Sequence, residues 1–309
     1  MIKVRRLDSL SALPDTLAAR LESFFFTSRG FLDLWRHVGG RPVWWIAEAT
    51  GKTVAVMPGV EFGRKPLARF QSMPDGCYGR VVLDGSSPGK ETELAGSILE
   101  AVCDHGYAKC FVTDFDGSFP NSDSLDAVPS TTLLVDISEP DWLPPDKKLQ
   151  SEIRKAQREG VAIERFDRRR HMEAFLTLMQ QTEARHNRAP KYDEAFFAAL
   201  ADLAERDDRV VWHIVEHEGR PAASHINLVL DKSVLNWQVY FDKEFSFLKA
   251  NQIMLVKLAD EMRERGIGTL NMGQSPIDAE ALQSYKQKWG GVEHEYRTLT
   301  ARKGIGRLL

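Results

Sequence analysis

Cysteine and long hydrophobic runs are both scarce in this chain of 309 residues. No stretch approaches the roughly 20 apolar residues that cross a bilayer, and the opening residues MIKVRRLDSL lack the apolar core of a signal peptide. The three cysteines, Cys77, Cys103 and Cys110, show no CxxC or Cys/His spacing, so they indicate neither a disulfide framework nor a zinc site. These absences predict a cytoplasmic protein with no transmembrane segment and no bound metal.

The overall charge is also small, with a formal net value of −3. Hydrophobic residues make up 43% of the chain and charged residues 28%, which is typical of a folded globular protein and not of a disordered one. The length allows two domains, each with its own core. Residues 146–191 depart from the balance, with twelve Lys and Arg against seven Asp and Glu. This segment is either a phosphate-facing surface or a solvated helix face with internal ion pairs.

A repeat without gaps is the clearest positive signal. The sequence VWWIAEATGKTVA (43–55) recurs as VWHIVEHEGRPAA (211–223), with valine, tryptophan, isoleucine, glutamate, glycine and the final alanine in register. Each copy predicts a strand, a glycine turn and a second strand. The repeat indicates a duplicated module, and chance similarity between two hairpins is the alternative. Three prolines in residues 137–146 predict a linker, which divides the chain into domains 1–140 and 141–309.

The second half has a readable order of elements. After a basic helix that begins near Lys147, the pattern predicts a strand, two helices, three antiparallel strands, the long helix 250–265, a strand, a helix and a last strand. Asp193 is a capping candidate for the second of the paired helices. The fold class that follows is α/β (α+β).

This order, together with three short motifs, resembles a known family. IRKAQREGV (153–161), GRPAA (219–223) and SYKQKWG (284–290) are similar, in the same order, to motifs of the FemABX-like (peptidyltransferase-like) branch of the GNAT acyltransferase superfamily. The resemblance implies two tandem GNAT-like domains, each a mixed, largely antiparallel sheet flanked by helices, the first degenerate and the second carrying the signature. It also implies an enzyme that moves an acyl or aminoacyl group to an amine. Our hypothesis places that amine on a cell-envelope or exopolysaccharide precursor.

Lys286 is the first catalytic candidate, because it occupies the lysine position of the family signature in SYKQKWG. The resemblance implies a cation near the reacting carbonyl, and an ammonium there would stabilise the oxyanion. The alternative is an exposed lysine on an amphipathic helix. Its neighbour Tyr285 is a candidate for substrate binding, and Lys288 is expected to be solvated.

A polar strand pair supplies further candidates. If residues 232–233 form the turn between the second and third antiparallel strands, Asn227 lies opposite Gln238 and His225 opposite Tyr240. His225 and Tyr240 are then catalytic candidates, His225 as a proton acceptor, and Asn227 and Gln238 are candidates for substrate binding. A partly solvated sheet face is the alternative.

Substrate binding is also predicted outside these strands. Arg185, Arg188 and Lys191 lie in a predicted link between helices, and arginine forks suit phosphate oxygens. By analogy, Tyr78 and Arg80 in a glycine-rich loop of the first half are expected to face, across the domain interface, a cleft at the polar strand pair. A solvated loop is the alternative in each case.

The donor is the least defined substrate. Where GNAT proteins that use coenzyme A carry a glycine-containing phosphate loop, this chain reads EFSFLKANQIM, without glycine and with Lys249 as its only cation. The donor candidates are therefore aminoacyl-tRNA and acyl-CoA, neither of them a tightly bound cofactor, and the loop argues against the second. No DNA partner is expected, and the oligomeric state stays open. The functional alternative is a non-catalytic binding protein for a phosphorylated or nucleotide-sugar ligand.

Overall fold

The computed structural model describes residues 2–86, 88–122, 125–275 and 279–302. The chain forms two compact units, Met1–Ser130 with Glu295–Leu309, and Thr131–His294. The first unit is therefore made of two separate stretches of chain. The predicted division into 1–140 and 141–309 differs from this at the boundary, since residues 131–140 belong to the second unit, and in the last residues, which belong to the first. A linker pattern carries no information about which sheet a neighbouring or later strand joins.

The first unit is a sheet with helices packed on it. Its elements are, in chain order, β1 (Ile2–Leu7), α1 (Asp15–Ser23), α2 (Arg29–Leu34), β2 (Gly40–Ala49), β3 (Lys52–Phe62), β4 (Arg69–Ser72), β5 (Val82–Leu83), α3 (Glu91–Asp104) and β6 (Lys109–Asp114). The strands follow the order β1, β2, β3, β4, β6 and are antiparallel except for the β4–β6 pair, while β5 pairs with β3. Leu94, Ile98 and Val102 of α3 enter the core, because a four-residue spacing puts them on one face of the helix.

The remaining elements are β7 (Asp126–Asp136), α4 (Lys147–Arg158), β8 (Ile163–Arg165), α5 (Arg168–Arg185), α6 (Glu194–Arg206), β9 (Val210–His217), β10 (Arg220–Leu230), β11 (Ser233–Phe241), α7 (Ala250–Glu264), β12 (Thr269–Gln274), α8 (Glu280–Gln287) and β13 (Val292–Arg302). In the second unit the strand order is β7, β12, β11, β10, β9, β8, antiparallel except for the β11–β12 pair. Asp193 caps α6 by accepting a hydrogen bond from the backbone N–H of Phe196 at 3.0 Å, as predicted. The mixed α/β class with a largely antiparallel sheet is confirmed.

Helices cover both faces of the second sheet. On one face, α4 and α7 bury Ile153 and Leu258 against Val211 of β9. On the other face, Trp212 stacks on Phe166 and packs against the aromatic side chains of α5 and α6. The alternation of side chains along β9 therefore separates an aliphatic layer from an aromatic one.

Both copies of the repeat form the predicted hairpin. The turn residues are Thr50–Gly51 in the first unit and Glu218–Gly219 in the second, and all four have positive φ, from 50° to 77°. Two successive residues with positive φ give the type I′ turn, whose twist matches that of the flanking strands. Glycine adopts this conformation without strain, which is why both copies keep it at the second turn position.

The turn between β10 and β11 differs from the prediction. It consists of Asp231 and Lys232, because Ser233 already pairs with Leu230, so the predicted turn at residues 232–233 is wrong. Asp231 has a φ of 22°, and aspartate is among the residues that tolerate positive φ best. The polar sequence DKS contains no glycine that would have fixed the turn position.

A bulge changes the register further along the same strand pair. Trp237 is the extra residue, since Ile226 pairs with Gln238 and Asn227 with Asn236. The predicted pairing of Asn227 with Gln238 is therefore wrong. The same shift places His225 opposite Val239 and Ser224 opposite Tyr240, which corrects the predicted His225–Tyr240 pair.

The last strand belongs mostly to the first unit. From Arg297 to Arg302, β13 pairs with β6 in antiparallel register, and Leu299 and Ala301 enter the first core. Arg297 Nε lies 2.9 Å from a carboxylate oxygen of the buried Asp114. A strand expected to complete the second half thus completes the first sheet.

Candidate functional site

Lys286 lies on α8 and is almost completely buried, with 8% of its surface exposed. Its Nζ donates hydrogen bonds to the carbonyl oxygens of Gly273 (2.7 Å) and Gln274 (3.2 Å). Burial lowers the pKa of the ammonium to about 8. Lys288, two residues further on, is exposed, as the helical spacing predicts. Lys286 is therefore not the exposed lysine of the alternative interpretation.

The carbonyls bound by Lys286 lie where β12 separates from β11. Among the described residues, β11 pairs with β12 only over Ser233–Leu235. Gly273 then takes a φ of +73°, a kink that favours glycine, and the register between β12 and β7 shifts. We call residues 236–241 of β11 and 272–274 of β12 the strand fork. Lys286 stabilises the fork because its ammonium donates hydrogen bonds to two carbonyl oxygens at the point where the strands separate.

Asn271 stabilises the same kink from the other side. Its Oδ1 accepts hydrogen bonds from the backbone N–H of Gly273 at 2.9 Å and from Thr132 Oγ1 at 2.6 Å. A side-chain amide thus takes the place of a strand partner at the bulge. These hydrogen bonds fix the conformation of the fork. A site that orients a reacting group needs such a fixed conformation.

The predicted polar residues of β10 and β11 form two separate contacts. The Nδ2 of buried Asn227 donates to the carbonyl oxygen of Val211 at 3.2 Å, and its Oδ1 accepts from Asn236 Nδ2 at 2.7 Å. Tyr240 donates its hydroxyl hydrogen to Gln238 Oε1 at 3.3 Å. Asn227 is therefore bonded within the sheet, and Asn236, which is not among the residues predicted from the sequence, takes the place expected for Gln238.

His225 is buried beneath the start of α7. Its Nε2 lies 3.0 Å from Asn251 Oδ1, and burial lowers its pKa to about 4, so the imidazole is neutral near pH 7. With Nε2 as the N–H donor, Nδ1 is an acceptor without a partner among the described residues, which costs less than a buried N–H without one. This tautomer leaves the amide nitrogen of Asn251 pointing away from His225.

His213 lies directly opposite His225 on β9 and forms a second buried contact to α7. Its Nε2 lies 3.2 Å from Glu261 Oε1. Burial alone would raise the pKa of Glu261, but the hydrogen bond from His213 and the charges of His213, Arg165 and Lys257 lower it to about 2. Two histidines therefore join the sheet to both ends of α7.

A cavity of about 180 Å³ lies at the start of α7, and we call it the α7 cavity. Its wall comes from β10, the end of β11, the turn that follows and the first turn of α7: Ala222, Phe241, Asp242, Phe245, Ser246, Lys249, Ala250, Asn251 and Gln252. Lys249 is in the left-handed region, with a φ of 55°, directly before the helix. Through Asn251, His225 is thus connected to the wall of this cavity.

Glu152 of α4 binds two residues of the cavity wall. Lys249 Nζ lies 3.2 Å from Glu152 Oε1, and Gln252 Nε2 donates to Glu152 Oε2 at 3.2 Å. Glu152 and Asn251 are not among the residues predicted from the sequence. No local pattern signals the contact, since Glu152 and Gln252 are 100 residues apart.

The basic residues predicted for phosphate binding make contacts within the protein. Arg185 donates from Nη1 to the carbonyl oxygen of Phe241 at 3.0 Å, and its guanidinium lies 4.3 Å from the centre of the Phe241 ring. Arg188 forms a fork with Glu183, at 2.9 and 3.3 Å. Lys191 Nζ lies 5.9 Å from the ring centre of the adjacent Tyr192. A phosphate would have to compete with these contacts, so substrate binding by this loop stays a prediction.

Of the other predicted binding residues, Tyr78 and Arg80 belong to the first unit and Tyr285 to the second. Tyr78 is buried in the first unit, where its ring stacks on Phe115 with centroids 4.1 Å apart. The Arg80 guanidinium lies 3.9 Å from the centre of the Phe24 ring. Tyr285 of the second unit precedes Lys286, and burial raises the pKa of its hydroxyl. For these three residues, too, substrate binding stays a prediction.

The three cysteines are free and buried. In the part of the chain that the structure describes, no group of His, Cys, Asp or Glu is arranged to hold a metal ion. Over the same residues, no helix combines the length and apolarity needed to cross a membrane.

Comparisons with known proteins agree with the fold. Residues 146–287 match the family model of the acetyltransferase (GNAT) domain. No curated protein sequence matches the chain. Among solved structures, FemX is similar with a TM-score of 0.66 and 13% identity, over 95% of this chain and 96% of that one.

Two further structures extend this similarity. The C-terminal domain of a putative lysylphosphatidylglycerol synthetase from Agrobacterium fabrum has a TM-score of 0.61 and 13% identity, over 95% of this chain and 93% of that one. A tandem GNAT protein from the clavulanic acid biosynthesis pathway has a TM-score of 0.57 and 11% identity, over 98% and 99%. The predicted resemblance is confirmed at the level of the fold: residues 146–287 match the acetyltransferase (GNAT) domain model, and the chain as a whole is similar in fold to FemX and to the tandem GNAT protein.

Proposed function

We propose that the protein transfers an activated acyl or aminoacyl group to an amine, with the reacting carbonyl at the strand fork. The observation that carries this proposal is Lys286, whose buried ammonium lies beside two carbonyl groups at the fork. With a pKa of about 8, it is mostly protonated at pH 7. A fixed cation in a sheltered site stabilises the negative charge that develops on a carbonyl oxygen.

The reaction itself is a nucleophilic substitution at the donor carbonyl. The acceptor nitrogen forms a bond to the carbonyl carbon, the oxyanion forms near Lys286, and its collapse breaks the bond to the donor oxygen or sulfur. The proton lost by the amine finally neutralises the leaving group. His225 and Tyr240 stay candidates for accepting or relaying this proton. Their hydrogen bonds to Asn251 and Gln238 are equally compatible with a role in positioning those two side chains.

The substrate classes belong to the same proposal. We place the acceptor amine on a cell-envelope or exopolysaccharide precursor in the cytoplasm, with aminoacyl-tRNA or acyl-CoA as donor. The name of one similar structure, a putative lysylphosphatidylglycerol synthetase, supports an aminoacyl group. The excess of basic residues in 146–191 supports an anionic donor such as tRNA.

The test is a product assay with matched variants. The protein is incubated with acyl-CoAs, aminoacyl-tRNAs and candidate amines, and mass spectrometry detects acylated amine. Lys286→Ala should reduce the rate by roughly 100-fold or more, because it removes the charge that stabilises the oxyanion. Lys288→Ala removes the same charge from the exposed residue that follows the same helix and should leave the rate unchanged.

Retained turnover in Lys286→Ala would sink the assignment of this residue. Specific binding of a phosphorylated or nucleotide-sugar ligand, with no product from any donor, would favour the non-catalytic binding protein instead. Thermal unfolding of each variant accompanies the assay, because Lys286 also binds the backbone of the fork.

A further inference from the structure

The α7 cavity lies at the start of a helix, where proteins often bind anions, but the side chains of its wall carry no net positive charge. The first backbone N–H groups of a helix carry the positive end of its dipole, equivalent to roughly half an elementary charge. This feature alone would favour a phosphate at the start of α7. Whether the cavity accepts one depends on the charged side chains around it.

The cation of the cavity wall is already neutralised. Lys249 Nζ lies 3.2 Å from Glu152 Oε1, and the side chains are only 29% and 23% exposed. Partial burial protects this pair from screening by salt. The second oxygen of Glu152 accepts the amide hydrogen of Gln252, another wall residue. Both oxygens of one carboxylate from α4 are therefore directed at the cavity wall.

The acidic residue of the wall opposes an anion directly. Asp242 has 13% of its side chain exposed, and its Oδ1 accepts the backbone N–H of Glu244 at 2.9 Å. Arg220 approaches its other oxygen at 3.4 Å but lies closer to Glu244, at 2.8 Å. A phosphate in the cavity would therefore meet one full negative charge beside a helix end worth about half a positive one.

Uncharged polar groups remain for a ligand. Ser246 contributes a hydroxyl to the wall, and Asn251 contributes an amide whose oxygen is held by His225. Because the imidazole is neutral, this contact adds no charge. The wall thus offers hydrogen bonds without a net attraction for anions.

We propose that Glu152 is a specificity-determining residue: by neutralising Lys249, it makes the α7 cavity accept an uncharged polar group of the substrate and reject phosphate. This goes beyond the proposed acyl transfer, since it concerns which chemical group enters the cavity. It holds whether or not Lys286 is catalytic, and its test measures binding instead of turnover.

The experiment measures binding of inorganic pyrophosphate by isothermal titration calorimetry at low ionic strength. Wild-type protein should show no saturable binding. Glu152→Gln keeps an oxygen that can accept from Gln252 but frees Lys249, so saturable binding should appear, with an affinity about tenfold or more above the weakest that the titration detects. Glu159→Gln is the matched control, because it removes a carboxylate at the end of the same helix, one that pairs with Lys155 and not with a residue of the cavity.

Three outcomes would overturn the proposal. Wild-type protein that binds pyrophosphate as tightly as Glu152→Gln would show that the ion pair does not exclude phosphate. A Glu152→Gln variant that melts like wild type but gains no affinity would show that Lys249 is not the missing cation. A gain that persists in the double variant Glu152→Gln, Lys249→Met would place the anion elsewhere. If Glu152→Gln melts early, Glu152→Met, which fills similar volume, replaces it.

Discussion

Lys286 contributes to the fold and, in the proposed reaction, to the stabilisation of charge. Its hydrogen bonds to Gly273 and Gln274 make it part of the fold, and its burial brings its pKa down to about 8. Replacement by alanine removes both hydrogen bonds, each of which contributes about 1 kcal/mol when its groups are partly exposed. Activity and stability therefore have to be measured together at this position.

The charge of Lys286 predicts a particular pH dependence. Acyl transfer should decline as the pH rises above about 8, because the ammonium that stabilises the oxyanion loses its proton. Lys286→Arg should extend activity to higher pH, since a guanidinium stays charged. The ratio of kcat/KM between the two proteins, measured with one amine across pH 6 to 10, removes the titration of the acceptor. A ratio that does not change with pH would contradict this role.

His225 predicts an effect of pH on stability. Its pKa is about 4 in the folded protein and 6.5 ordinarily, so the unfolded chain takes up the proton first. The stability contribution is therefore complete above pH 6.5 and is lost as the pH falls toward 4. Between pH 7 and pH 5 the contribution of His225 to the free energy of unfolding should fall by roughly 2 kcal/mol. Asp75, whose pKa burial raises to about 7, changes stability in the opposite direction over the same range, so the His225 contribution is read from the difference between wild type and a His225 variant.

Urea unfolding of wild type and His225→Gln at both pH values measures this term. Glu261 has its pKa lowered to about 2 from 4.5, so the loss of its stabilisation begins only below about pH 4.5 and does not interfere. If both proteins lose the same stability between pH 7 and pH 5, another group is responsible.

At the scale of elements, the repeat is where the sequence is most readable. The type I′ turns require positive φ at two successive residues, and a glycine between two apolar strands signals this locally. The turn at Asp231–Lys232 carries no such signal, and the bulge at Trp237 breaks the two-residue period on which a register prediction depends. The prediction therefore found the strands but paired the wrong polar side chains.

The hairpin turn of the second unit gives a direct prediction. Gly219 has a φ of +75° with nothing within 4 Å of the place where a Cβ would stand, so only backbone strain opposes a side chain. Gly219→Ala should lower the free energy of unfolding by about 1–2 kcal/mol. Gly219→Asn should cost clearly less, because asparagine tolerates the left-handed region. Equal losses for the two variants, measured by denaturant unfolding, would argue against strain as the cause.

At the scale of the whole molecule, the candidate site depends on contacts that no local pattern reports. The signature SYKQKWG identified Lys286, but its hydrogen-bond partners depend on the kink at Gly273. Glu152 reaches Lys249 only because α4 and α7 pack together, although the sequence separates them widely. The order of elements could thus be predicted from periodicity and turn residues, whereas the charge state of the cavity required the tertiary structure.

The pairing of β13 with β6 predicts that replacing Arg297, far along the chain from β6, strongly destabilises the first unit. Arg297 pairs with Asp114, whose side chain is fully buried, and donates to Asn121 and to the carbonyl oxygen of Phe119. Arg297→Ala leaves that carboxylate without its cation and should destabilise the protein by roughly 3–5 kcal/mol. The double variant with Asp114→Asn should recover part of the loss, as measured by denaturant unfolding. If the double variant recovers no stability, the packing of the Arg297 side chain, and not its charge, is what stabilises this contact.

The same strand has a consequence for biosynthesis. A ribosome delivers residues 109–114 of β6 long before residues 297–302 of β13, so the first sheet waits for its last strand while the intervening unit is made. The nascent amino-terminal segment carries an open strand edge during this interval, a surface on which other chains can pair. The unit encoded second is therefore the first that can finish folding, and the amino-terminal half is the part most exposed to misassembly during synthesis.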